Sequence, residues 1–123
     1  MSGPGRRVLV VDDAAGARLT MAALLEDAGY QVVEAESLAE GRARAAEGNY
    51  ALAVIDLQLP DGLGTLLIPE FRRRQPAAVV AMLSGQTLPP IDGVDLTLTK
   101  GEAPDQLLRQ IDRAVGRAGV GGR

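Results

Sequence analysis

Cysteine and histidine are both absent from this 123-residue chain. Without cysteine there is no disulfide, no zinc-thiolate site and no thiol nucleophile. Without histidine there is no Ser-His-Asp triad, no imidazole metal ligand and no phosphohistidine carrier. Aromatics amount to 2%, namely Tyr30, Tyr50 and Phe71, too few for a base-stacking platform. The formal net charge is -3, which argues against a nucleic-acid surface. No stretch approaches the roughly 18 apolar residues of a membrane span. The first apolar run, Val8 to Val11, is too short for a signal-peptide core and ends in two aspartates. These features lead to the expectation of a cytoplasmic protein with neither nucleic-acid nor membrane partners.

What is present suits one globular domain. Hydrophobic residues make up 46% and charged residues 24%, enough to bury a core without a staple. Residues 7–118 are expected to form the domain, with 1–6 and 119–123 as flexible ends. Of the 13 basic residues, twelve are arginine and one is lysine, Lys100.

Apolar runs recur at a regular beat: Val8 to Val11, Tyr30 to Ala35, Ala51 to Ile55, Ala77 to Leu83 and Val94 to Thr99. Continuous apolar runs of this length suit strands buried on both faces. Helical stretches separate most of them. Ala15 to Ala28 closes on Gly29, a C-terminal signal. Ser37 and Glu40 form a capping-box pattern. Thr65 to Arg74 carries Pro69 early, where proline bends a helix or delays its start. Pro104 suits a first helical position, ahead of the stripe Leu108, Ile111 and Val115. Alternation of strand and helix predicts an α/β fold with a parallel sheet. Gly85 to Gly93 breaks the pattern: it holds Pro89-Pro90 and has no helical periodicity. The glycine-rich Gly116 to Arg123 is expected to fray.

Chemistry-bearing residues fall at the carboxyl ends of the predicted strands. Asp12 and Asp13 follow the first, Asp56 ends the third, Ser84 the fourth and Lys100 the fifth. Ligands of open parallel sheets bind at that edge. Three carboxylates brought together repel one another, and Mg²⁺ is a hard cation suited to relieving the repulsion. A carboxylate can then attack phosphorus, with Lys100 and Ser84 as donors to the developing charge. Singly, each residue has a plainer reading: a helix cap for the aspartate pair, a turn for Asp56 or Ser84, a solvated charge for Lys100. Their joint occurrence favours a site.

The runs Val8-Leu9-Val10-Val11-Asp12-Asp13, Leu24 to Tyr30, Val54-Ile55-Asp56 through Pro60 to Gly64, Leu83-Ser84-Gly85 and Thr99-Lys100 resemble the receiver domains of two-component response regulators. The resemblance spans about Arg7 to Ala118. It implies a flavodoxin-like, doubly wound, five-stranded parallel sheet of order 2-1-3-4-5. It implies Asp56 as phosphoacceptor and Mg²⁺ held by Asp13 directly, Asp12 through water, Asp56 and the backbone carbonyl of Gln58. Ser84 and Lys100 would hold the phosphoryl group, with Ser84 and Thr97 as switch positions. Gln58 and Gln86 would tune attack by water. The implied donor is a histidine kinase or histidine phosphotransfer protein, and an unknown protein would be the target.

The chain departs from the family pattern at three places. Thr97 stands where an aromatic is usual, and Gly101 where proline is usual. The 16-residue interval from Ser84 to Lys100 is short for one containing a helix, so the fourth helix is expected to be absent or irregular. There the chain resembles a subgroup of single-domain receivers. Independently, Val94, Leu96 and Leu98 alternate with Asp95, Thr97 and Thr99, so the fifth strand should turn the first three toward the last helix and leave the others on a bare polar face. Two other readings stand beside this one. One is a phosphorylation-independent interaction domain that kept the acidic pocket. The other is a small Mg²⁺-dependent phosphohydrolase, which would need an Asp-x-Asp nucleophile motif and a substrate cap.

Overall fold

A computed structural model describes residues 6–121, with side chains through Gly116. The expected flexible ends fall mostly outside those bounds. Strand β1 (Arg7–Val11), helix α1 (Ala15–Asp27), β2 (Gln31–Ala35), α2 (Leu38–Ala45) and β3 (Leu52–Asp56) come first. A small antiparallel hairpin follows, β4 (Gln58–Leu59) with β5 (Gly62–Leu63), then a 3-10 turn over Gly64–Leu67 and α3 (Ile68–Arg74). Strands β6 (Val79–Ser84) and β7 (Leu96–Thr99) and helix α4 (Pro104–Gly121) complete the chain.

The main sheet is parallel, in the order β2-β1-β3-β6-β7. Counting only its own strands, this is the 2-1-3-4-5 order of the flavodoxin-like fold. The central strands β1, β3 and β6 are buried almost throughout, which is why their sequences run apolar without alternation. Successive side chains still point to opposite faces. Leu9, Val11, Ala53, Ile55, Val80 and Met82 pack with Leu38, Leu67, Ile68 and Phe71 on the α2–α3 side. Val8, Val10, Val54, Ala81 and Leu98 pack with Met21, Leu25, Ile111 and Val115 on the α1–α4 side.

Local signals set the helix limits. Beyond α1, the Gly29 amide bonds the Glu26 carbonyl and the Tyr30 amide bonds the Leu25 carbonyl, with Gly29 at φ +101°. Those paired bonds form a Schellman motif, in which glycine tolerates the positive φ. Ser37 Oγ accepts the Glu40 amide at 3.1 Å. Glu40 reaches back to the Glu36 amide at 2.8 Å, one residue upstream of the usual capping-box partner. Pro69 sits in the first turn of α3, after the 3-10 turn, as the delayed start predicts. Helical backbone in α4 continues through Gly121, although the glycines from Gly116 onward suggested fraying.

The fourth α-helix in chain order is α4. Between β6 and β7 the described residues hold only bends and a turn. Leu88, Ile91 and Val94 cover that part of the α2–α3 core instead. Val94 therefore faces away from α4, contrary to the alternation expected from sequence. The strand starts only at Leu96, and residue 94 still belongs to the turn at Gly93, whose φ is +82°. Leu96 and Leu98 do face α4. Asp95 also differs from expectation, because it is well partnered. It accepts the Val80 amide at 2.8 Å and pairs with Arg72, which also bonds the Gly93 carbonyl. Thr97 is exposed.

Candidate functional site

Register places the site. Val11 lies beside Ile55 and Asp56 beside Leu83, while Ser84 lies beside Thr99. The residues that end or follow these strands therefore meet at one edge. Carboxylate oxygens of Asp12, Asp13 and Asp56 lie within 4.8 Å of one another. Asp12 and Asp56 are only 2% and 3% exposed, whereas Asp13 faces solvent. Lys100 Nζ stands 3.1 Å from each Asp56 carboxylate oxygen.

Burial raises the Asp12 carboxyl above its ordinary value; the Ala14 amide opposes this, and the neighbouring Asp56 charge adds to it. That amide bond, 2.9 Å to Oδ1, goes to the residue before the helix, and α1 has no side-chain cap. The aspartate pair is thus not spent on capping. Two buried carboxylates and an exposed third form an oxygen-only, strongly negative cluster, a donor set that fits Mg²⁺.

The backbone around Asp56 is tightly specified. The Leu57 amide bonds Leu83 O at 2.9 Å, and the Lys100 amide bonds Ser84 O at 2.8 Å. The Gly64 amide bonds Leu57 O at 2.7 Å, a single bond that closes the open end of the hairpin. Gln58 and Leu63 pair in register just inside it. A Cβ on Gly64 would overlap the Asp56 carbonyl oxygen and stand 2.8 Å from Ile55 Cγ2, so only glycine lets the loop turn back here.

Asp56, Leu57, Gln58, Ser84, Gly85, Gln86 and Lys100 line an open pocket of about 320 Å³. Ser84 is buried, and its Oγ accepts the Gln86 amide at 3.1 Å, leaving its hydroxyl proton available to donate. The candidates from sequence thus converge, except Thr97, which is not among the pocket-lining residues. Two contributors went unread in the sequence. Asp61 accepts the Leu38 and Ala39 amides at 2.8 and 3.0 Å, tying the loop after Asp56 to the start of α2. These bonds hold its carboxyl below the ordinary value. Arg18 bonds the Asp12 carbonyl at 2.9 Å. The Pro60-Asp61-Gly62 turn and an arginine shortly after the acidic pair were the available signals.

A doubly wound parallel sheet carrying three carboxylates and a lysine at its carboxyl edge defines the class of protein. The family model for the response regulator receiver domain matches residues 8–112. The chain belongs to that family, whose members are signalling modules of two-component systems. Among curated proteins, the photosynthetic apparatus regulatory protein RegA of Rhodobacter capsulatus is 36% identical over 83 residues, covering 68% of this chain and 45% of its own length. The acid tolerance regulatory protein ActR of Rhizobium meliloti (strain 1021) is 39% identical over 83 residues, covering 68% and 43%. The chain thus spans less than half the length of these two relatives. Among solved structures, a CheY-like receiver domain protein from Methanospirillum hungatei JF-1 is 27% identical with a TM-score of 0.84, covering 93% of this chain and 96% of that one. The response regulator TrrA of Thermotoga maritima, in complex with Mg²⁺-BeF, is 26% identical with a TM-score of 0.79, covering 89% and 98%. No helix among the described residues is long and apolar enough to cross a membrane.

Proposed function

We propose that this chain is a phosphoacceptor module that takes a phosphoryl group onto Asp56 from the phosphohistidine of a kinase or phosphotransfer protein. One observation carries the reading: Asp56 is buried within 4.8 Å of two further carboxylates and meets Lys100 Nζ at 3.1 Å. A purely structural carboxylate has little reason to sit in such company.

Asp12, Asp13, Asp56 and the Gln58 carbonyl would hold Mg²⁺. When bound, the ion neutralises charge on the transferring group and on the carboxylates around it. The residues of the chain do the rest. An Asp56 carboxylate oxygen forms the new O–P bond while the donor's P–N bond breaks, and the departing imidazole keeps the electron pair and takes a proton. Lys100 moves from the Asp56 carboxylate to the added phosphoryl oxygens. Ser84 donates its free hydroxyl proton to another of them. Gly85 and Gln86 would shift with Ser84, and the altered β6–β7 connection would carry the signal to a protein target. The TrrA relative, in complex with Mg²⁺-BeF, supports the phosphoryl chemistry by likeness.

The test is incubation with acetyl phosphate and Mg²⁺, read by intact mass and site mapping. One phosphoryl group on Asp56 is expected, and none on Asp56→Asn. Equal labelling of that variant would overturn the assignment.

A further inference from the structure

We infer that Arg18 is the positioning residue for the acidic pair, acting through the carbonyl of Asp12; this rests on the metal-dependent phosphoacceptor reading above. Arg18 lies in the first turn of α1, and its side chain is only 13% exposed. Its three guanidinium nitrogens are all directed. Nε meets Glu34 Oε1 at 2.9 Å, Nη1 meets the Asp12 carbonyl at 2.9 Å, and Nη2 lies 3.9 Å from Glu36 Oε2. One side chain thus joins the start of α1, the end of β1 and the edge strand β2.

The Asp12 carbonyl belongs to the peptide plane shared with Asp13. That plane is rigid, so fixing the carbonyl direction also fixes the Asp13 amide and Cα. The rest of Asp12 is held as well. Its amide bonds the Ala35 carbonyl at 3.0 Å and its Oδ1 accepts the Ala14 amide at 2.9 Å. Asp13 is solvent-exposed. Repulsion from Asp12 and Asp56 pushes its carboxylate outward, and the Arg18 clamp opposes that displacement by holding the peptide that precedes it. Glu34 and Glu36 orient the guanidinium and balance its charge, so it serves as a clamp and not as a competing cation.

A field effect and a positioning effect have opposite signs. Removing a nearby positive charge raises cation affinity; removing a clamp lowers it. Outer-shell partners of metal ligands typically change affinity by about 10-fold or more. The experiment is Mg²⁺ titration by calorimetry of the parent, Arg18→Ala, Arg18→Lys, Glu34→Ala and the control Asp13→Ala. Each is measured where circular dichroism shows it fully folded. Arg18→Ala should bind Mg²⁺ about 10-fold more weakly, with Arg18→Lys and Glu34→Ala between it and the parent. If Arg18→Ala does not fold, Arg18→Lys, which keeps the positive charge and loses the fork of donors, carries the readout; Glu34→Ala also removes a negative charge and is read only beside it. A lower melting temperature with unchanged affinity would reduce Arg18 to a structural role and overturn the inference, as would tighter binding. A parent that fails to bind Mg²⁺ would overturn the phosphoacceptor reading itself. Loss of binding in Asp13→Ala alone would leave that reading standing and remove Arg18 from it.

Discussion

Gly64 packs so closely on Asp56 that a methyl group at position 64 would occupy the space of the Asp56 carbonyl oxygen. The loop that leaves Asp56 returns to touch it eight residues later. Because the obstacle is backbone, it cannot swing aside as a flexible side chain would. Gly64→Ala should therefore destabilise the fold by about 2 kcal/mol, in the range of overpacking. Urea unfolding reads this directly, and a loss below about 0.5 kcal/mol would contradict the close approach.

Asp13→Ala separates binding from stability. It should remove most Mg²⁺ affinity, because the exposed carboxylate proposed as a direct ligand is lost. It also relieves repulsion among three carboxylates within 4.8 Å, so the metal-free variant should be at least as stable as the parent. Calorimetry checks the first half and urea unfolding without Mg²⁺ the second.

The tie between Arg72 and Asp95 stands where a helix would otherwise seal the sheet. Asp95→Ala strands the Val80 amide, a loss of about 1–2 kcal/mol for an unsatisfied donor. Asp95→Asn keeps an acceptor and should retain more of the stability. Amide exchange at Val80 should quicken in the alanine variant, and equal protection in both would contradict this account.

Gln58 and Gln86 line the pocket beside Asp56. An amide there can orient an attacking water. Replacing either by leucine should change the dephosphorylation rate several-fold, about 1 kcal/mol in barrier. Loss of the phosphoryl mass over time measures it, and rates unchanged from the parent in both variants would count against a role for either.

Tyr30 reports the seam between α4 and the start of β2. Burial, then the hydrogen bond to Asp112 at 3.0 Å, raises its hydroxyl from 10.0 to about 12. A raised folded value favours the neutral form, so the associated stability is present below pH 10 and is lost as pH rises toward 12. Tyr50 is also raised, chiefly by burial. Ultraviolet titration should show little tyrosinate at pH 10 while the protein is folded. Asp112→Asn should bring the Tyr30 transition to lower pH.

The sheet and the site were legible in the sequence for one shared reason. Strands buried on both faces read as apolar runs, and the residues that end such runs lie at the ligand-binding edge. Asp12, Asp56, Ser84 and Lys100 could thus be placed without coordinates. Side-chain partnerships across long intervals were not legible. Asp95 meets Arg72 only because the β6–β7 connection crosses α3 as a turn. Val94 changed faces for the same reason, since alternation holds only after the strand has begun. Arg18 and Asp61 act on backbone groups, and backbone leaves no residue type to recognise.

Lysine appears once in these residues, and its side chain remains 42% exposed while its ammonium group meets Asp56. Amine-selective acylation therefore has one internal target, apart from any terminal amine. Arginine, which makes up the rest of the basic set, does not react with such reagents under mild conditions. Acylation needs the amine within reach of the reagent, so the labelling rate at position 100 follows how closely Asp56 engages that side chain. A single mass increment thus becomes a clock for the state of the pocket, with no reporter group to engineer.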